Sequence, residues 1–151
     1  MKTHGTKSSF LLLCVILGAG ALTTSCMTSS QPVKEASAQP LLNTQWRLTQ
    51  LGNEVIDNPP GERAIHVLLQ PSSTHLVGFA GCNRMFGSYA LEGATLKFNG
   101  VGSTRMFCQA RMDLEQKFLG TFDRVAGWKI VGNTLQLQDA GAAPVATFEA
   151  P

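Results

Sequence analysis

Gly78-Phe79-Ala80-Gly81-Cys82-Asn83-Arg84-Met85-Phe86-Gly87-Ser88-Tyr89 is the stretch whose reading decides the fold. Gly78, Gly81 and Gly87 interrupt a run rich in aromatic residues. Glycine is the residue best suited to bulges and positive-φ turns where a chain bends sharply between strands. Asn83 tolerates left-handed geometry and can hydrogen-bond its own turn backbone. The stretch therefore reads as strand, tight turn and strand, with Phe86 and Tyr89 on the second strand.

Working outward, the same grammar recurs. Residues 64–70 and 74–80 form a strand pair around Pro71-Ser72-Ser73. Residues 86–91 and 94–98 flank Glu92-Gly93, which suits a two-residue hairpin. Residues 128–131 and 134–138 flank Gly132-Asn133, where a leading glycine suits a type II′ turn. Leu135 and Leu137 alternate with Gln136 and Gln138, so that strand has one wet face. Residues 46–51 make an imperfect first strand and residues 145–149 the last. The segment 52–61 contains Asn58-Pro59-Pro60-Gly61 and must be a loop, because two prolines cannot continue a sheet ladder.

Residues 109–126 break the pattern. Leu114, Phe118, Phe122 and Val125 recur at spacings of four, four and three, the stripe of an amphipathic helix, with Met112 and Leu119 widening it. Asp113 and Lys117 are placed as an i,i+4 pair, and Gly127 as a C-terminal cap. Gly120 weakens such a helix by about 1 kcal/mol relative to alanine, which implies close packing there. Many short strands and one helix predict an α+β domain, mainly antiparallel β, or a small barrel. No repeat of solenoid length is present.

The N-terminus speaks to compartment. Lys2 and Lys7 precede an apolar run over residues 10–22, shorter than the roughly 20 residues a membrane-spanning helix needs. Leu22-Thr23-Thr24-Ser25-Cys26 resembles a lipobox, in which signal peptidase II cuts before a lipid-modified cysteine. Ser25 supplies the small residue before the cut, whereas Thr23 stands where leucine is usual. The expectation is a lipoprotein signal peptide over 1–25, a flexible tether over 26–40 and one globular domain over 41–151. An ordinary signal peptide with a free Cys26 is the alternative. Met27, not aspartate, follows the cysteine, which favours the periplasmic face of the outer membrane.

Cleavage also changes the charge. The chain carries 12 Lys+Arg and 10 Asp+Glu. Lys2 and Lys7 leave with the signal, so the mature protein is near neutral, and nucleic-acid binding loses its electrostatic support. Of the 4 cysteines, Cys14 is discarded and Cys26 is lipidated. Cys82 and Cys108 remain, and an even pair in an oxidising compartment is most simply a disulfide.

Two motifs then carry a resemblance. The stretch from Gly78 through Gly81, Cys82, Asn83 and Gly87 to Tyr89 resembles the G-x-x-G-C-N-x-x-x-G-x-Y signature of the META domain family, which includes HslJ-like heat-shock lipoproteins. Thr104-Arg105-Met106-Phe107-Cys108 is similar to the family's T-x-M-x-C segment, which precedes its helix. Trp46, Glu115, Phe118, Trp128, Leu135 and Phe148 extend the likeness over about residues 41–149. The resemblance implies a calycin-like, partly open β-barrel with a helix packed against it, and a role in envelope stress tolerance. It supplies no catalytic residue, so Gly78, Gly81, Asn83, Arg84, Gly87, Tyr89, Thr104, Arg105 and Met106 are expected to act structurally. The sharper alternative has Asn83, Arg84 and Arg105 lining an anion or peptide site.

Other chemistries have less support. Redox pairs usually stand as C-x-x-C at a helix start, and Cys82 and Cys108 are far apart in the chain. His66 and His75, as possible cross-strand neighbours, could bind a transition metal, but no third ligand is evident. There is no nucleophile elbow, and no phosphate-cradling loop or dinucleotide fingerprint. Met106 and Met112 read as core filling. The expectation is a non-enzymatic, cofactor-free envelope lipoprotein, held to the membrane by its anchor and acting through an envelope protein partner. Ligand binding at the barrel mouth is the alternative, and a thiol-redox or hydrolytic enzyme comes third.

Overall fold

The computed structural model describes residues 38–151. The signal segment, Cys26 and nearly all of the tether lie outside the described residues. Nine strands follow in order: β1 Trp46–Leu51, β2 Glu54–Val55, β3 His66–Leu69, β4 His75–Phe79, β5 Arg84–Glu92 and β6 Thr95–Ser103, then β7 Gly127–Val131, β8 Thr134–Gln138 and β9 Pro144–Glu149. A helix, α1 Met112–Thr121, and a 3₁₀ turn, Phe122–Arg124, stand between β6 and β7.

The strands form one antiparallel sheet in the order β2-β1-β3-β4-β5-β6-β7-β8-β9, and β9 also pairs with β1. The ladder therefore returns on itself as a ring, with β2 as a short spur. Two seams are thin. β1 meets β3 through Trp46↔Val67 and Arg47↔His66, and β6 meets β7 at Thr95↔Gly127 alone. Two backbone bonds reinforce the second seam, Leu96 N–H to Ala126 O at 3.2 Å and Trp128 N–H to Ala94 O at 3.3 Å.

Past that seam β6 and β7 diverge, and aromatic side chains from the helical segment bridge the gap. Phe98 on β6 meets Phe122 edge-on at 4.9 Å between ring centroids. Phe122 meets Phe118 on α1 at 5.1 Å, and Phe118 reaches Phe148 on β9 at 6.2 Å. The first two contacts are edge-to-face and add about 1 kcal/mol each beyond the area they bury. Trp46, Leu48, Leu69, Leu76, Leu96, Leu135 and Phe148 are buried with them. The ring's interior is thus a packed core.

The two-residue period shows most cleanly in β8, where Leu135 and Leu137 are buried and Gln136 and Gln138 are half-exposed. Its turn is as expected, with Val131 paired to Thr134 and Gly132 at φ 57°. The β5–β6 turn lies one residue later than expected, at Gly93-Ala94, because Glu92 pairs with Thr95. β6 also continues to Ser103, well past Phe98.

The helix is shorter than the stripe over 109–126 suggested. It ends at Thr121, and Val125 is already extended at φ −69°, ψ 126°. Gly127 opens β7 instead of capping the helix. The buried face is centred on Glu115, Phe118 and Thr121, and Leu114 is only half-buried. Lys117 pairs with Glu54 at 3.3 Å, not with Asp113. A Cβ on Gly120 would meet nothing within 4 Å, so close packing does not account for that glycine.

Candidate functional site

The two motifs converge on one buried polar knot. Between β4 and β5, Ala80 N–H donates to Asn83 O at 2.9 Å and closes a turn. Gly81 makes that turn at φ 117°, a conformation that L side chains rarely adopt. The turn aims two successive backbone amides at α1. Oε2 of Glu115 accepts Cys82 N–H at 3.1 Å and Asn83 N–H at 2.7 Å. Oε1 of the same carboxylate accepts Asn83 Nδ2 at 2.9 Å and Ser103 Oγ at 3.1 Å.

Asn83 carries the knot onward. Its Oδ1 accepts Met106 N–H at 2.7 Å and Thr104 Oγ1 at 2.9 Å, and its Nδ2 also donates to Met106 O at 3.1 Å. The β4–β5 turn, the loop after β6 and the helix are thereby joined through two side chains, Glu115 at 4% exposure and Asn83 at 2%. A carboxylate ringed by N–H and O–H donors makes charge-assisted bonds, stronger than neutral ones. Among the described residues no buried side-chain polar atom lacks a partner.

A covalent tie runs alongside. Cys82 and Cys108 are joined as a disulfide with Cα atoms 5.8 Å apart, fastening the loop to the turn. The remaining motif residues have local duties. A Cβ on Gly78 would run into the His66 carbonyl oxygen, so β3 and β4 approach closely only because residue 78 is glycine. Gly87 lies at a register shift between β5 and β6. Tyr89 is buried and donates its hydroxyl to Gln70 O at 2.9 Å, and burial pushes its pKa up.

Of the three residues of the arginine alternative, Asn83 is buried in the knot and the two arginines lie outside it. Arg84 and Arg105 are both exposed, and Thr104 N–H donates to Arg84 O at 3.0 Å, so the two arginines flank one strand junction. The hollow beside Asn83, Met106 and Met112 is bordered by Arg105 but not by Arg84. His66 and His75 stand at opposite ends of the β3–β4 hairpin, where His66 pairs with Phe79 and His75 lies beyond the Leu69↔Leu76 pair. They cannot share an ion. Met106 is not core filling, being 63% exposed, and Phe107 beside it is 82% exposed.

Sequence reasoning missed Glu115 as the centre of the knot, because its partners are backbone amides more than 30 positions away. It also missed an open groove of about 490 Å³ between β6 and α1. Val101, Met112, Leu119 and Gly120 line this groove, with Glu115, Gln116 and Asp123 at its polar edges. Among the described residues no helix is long and apolar enough to cross a membrane.

A ring-closed antiparallel sheet, one helix across its open seam and a Cys-Asn turn knotted to that helix define a small α+β class of domain. Residues 39–151 match the META domain family, and the chain belongs to it. The solution NMR structure of a protein from Burkholderia xenovorans is similar, with a TM-score of 0.60 and 27% identity over 74% of this chain and 83% of that one. A second NMR structure shares the fold at a TM-score of 0.56 and 19% identity, over 72% of this chain and 90% of the other. No curated protein matches the chain.

Proposed function

We propose that the chain is an envelope lipoprotein of the HslJ-like kind, anchored through Cys26, whose META domain works without catalysis by holding a protein partner in stress tolerance. The lipobox-like Leu22–Cys26 segment supports the anchor, and a disulfide between Cys82 and Cys108 fits an oxidising compartment. The groove between β6 and α1 is the observation that carries the partner reading. It is apolar along Val101, Met112 and Leu119 and rimmed by polar groups, as interface cores are. The ring interior is filled, so a ligand would have to bind on the outside, and this groove is an apolar-lined place for it.

A photo-crosslinking residue at Gln116, on the groove's exposed rim, tests this in cells. The reading expects one envelope protein captured from position 116 and not from Asn133, on the β7–β8 turn. Equal capture from both positions, or none from either, contradicts it. The small-ligand alternative is favoured by the groove's volume and predicts a raised melting temperature with apolar peptides or acyl compounds.

A further inference from the structure

We infer that the loop after β6 is a bilayer-contact site, with Phe107 and Met106 entering the interface of an anionic phospholipid surface and nearby arginines seated on its headgroups. Phe107 and Met106 are 82% and 63% exposed, the largest adjacent pair of exposed apolar side chains in the described domain. They are presented firmly. The Met106 backbone is held by Asn83 through two bonds, of 2.7 Å and 3.1 Å, and Cys108 is fixed to Cys82. A loop pinned on both sides of Phe107 loses little conformational freedom on docking.

Positive charge runs along the sheet from the pair. Arg105 precedes it, Arg84 adjoins through the Thr104 N–H bond, and Arg84 pairs across the sheet with Phe79. The guanidinium of Arg63 lies over the Phe79 ring, 5.1 Å from its centre. Among the described residues none of these three arginines has a carboxylate partner. Four acids are otherwise placed: Glu62 binds Arg111 at 2.7 Å, Glu115 is inside the knot, and Asp57 and Asp113 line a separate hollow with Arg111. Exposed aromatic and sulfur side chains rimmed by unpaired arginines match an anionic membrane interface, where each cation adds to the attraction.

The tether allows the contact. The described chain begins beside the β7–β8 turn, where Gln39 N–H donates to Gly132 O at 3.2 Å. That turn lies past the start of β6, at the opposite end of the ring from the loop. Nine residues of β6 and five of β7 separate the two ends by about 45 Å at most, and the 12 residues from Met27 to Ala38 reach about 40 Å when extended, enough when the domain lies on its side. The loop can therefore touch the same bilayer that holds Cys26, with the domain lying against the membrane. Only this reach depends on the lipoprotein reading; the docking chemistry does not.

The test uses the whole mature chain, residues 26–151, with Cys26→Ser so that no lipid contributes. Sedimentation with vesicles of pure phosphatidylcholine is compared with vesicles containing one part phosphatidylglycerol to two of phosphatidylcholine. Partition into the anionic vesicles should be on the order of tenfold higher, and should be lost at high salt. Phe107→Ser and Arg105→Glu should each reduce it several-fold, with the near-ultraviolet circular dichroism unchanged, because both side chains lie outside the knot. Equal partition into both vesicles, no partition, or indifference to Phe107→Ser overturns the inference. So does a residue-107 crosslink in cells that captures protein and no lipid.

Discussion

Asn83 and Glu115 are bonded twice, backbone N–H to Oε2 at 2.7 Å and side-chain Nδ2 to Oε1 at 2.9 Å, which fixes the β4–β5 turn to the helix that crosses the open seam. The most distinctive residues of the sequence are thus spent on holding three segments together. Glu115→Ala would leave the Cys82 and Asn83 amides buried without an acceptor. An unsatisfied buried donor costs about 1–3 kcal/mol, so the expected loss is about 3 kcal/mol for the pair. Equilibrium unfolding in urea checks it. Glu115→Gln keeps one acceptor oxygen and should fall between the wild type and Glu115→Ala.

Gly120 and Gly78 should respond in opposite directions to the same substitution. A methyl group at Gly120 meets open space, and alanine is the better helix former, so Gly120→Ala should stabilise by about 0.5–1 kcal/mol. Gly78→Ala sets a methyl group against the His66 carbonyl oxygen, which belongs to the sheet backbone and cannot turn aside. It should destabilise by about 2 kcal/mol or more. Thermal melts of the two variants side by side decide the matter.

The disulfide closes a loop with a sequence separation of 26. Chain entropy assigns a loop of that length about 3.5 kcal/mol. The Cys82→Ser/Cys108→Ser double variant should lose about that much in urea unfolding, and reductant should shift the wild type toward the variant without altering the variant itself.

Tyr89 is the chain's only tyrosine, so phenolate absorbance reports on it alone. Burial raises its folded pKa above the ordinary value of 10.0. The unfolded phenol therefore ionises first as pH rises. The stability Tyr89 contributes is whole below the unfolded pKa and is lost as pH climbs through the folded one. Absorbance titration should show a midpoint above that of the urea-unfolded chain, and Tyr89→Phe should remove this part of the alkaline destabilisation. Coincident midpoints would contradict burial of the hydroxyl.

How much of this was legible depends on where each residue's partner lies. The β7–β8 hairpin was readable because its alternating leucines and its Gly132-Asn133 turn act locally. The α+β class followed from the same short strands and the one apolar helical stripe. The helix boundary was misplaced because Phe122 and Val125 continue the apolar spacing while the chain tightens into a 3₁₀ turn at Phe122 and is extended at Val125. Glu115 could not be recognised from periodicity, which assigns a carboxylate to the wet face. Its burial is set by amides from a turn far away in the chain. His66 and His75, weighed as cross-strand neighbours, are not, because β-pairing places residues by register, and the register puts them at opposite ends of the hairpin.

The anchored-lipoprotein claim is tested most directly by the intact mass of the mature protein isolated from the membrane fraction without thiol reagents. The predicted species begins at Cys26, carries a diacylglyceryl group and an N-linked acyl chain on that residue, and has Cys82 and Cys108 oxidised to each other. A species cut at another position, with Cys26 unmodified or removed, would contradict it.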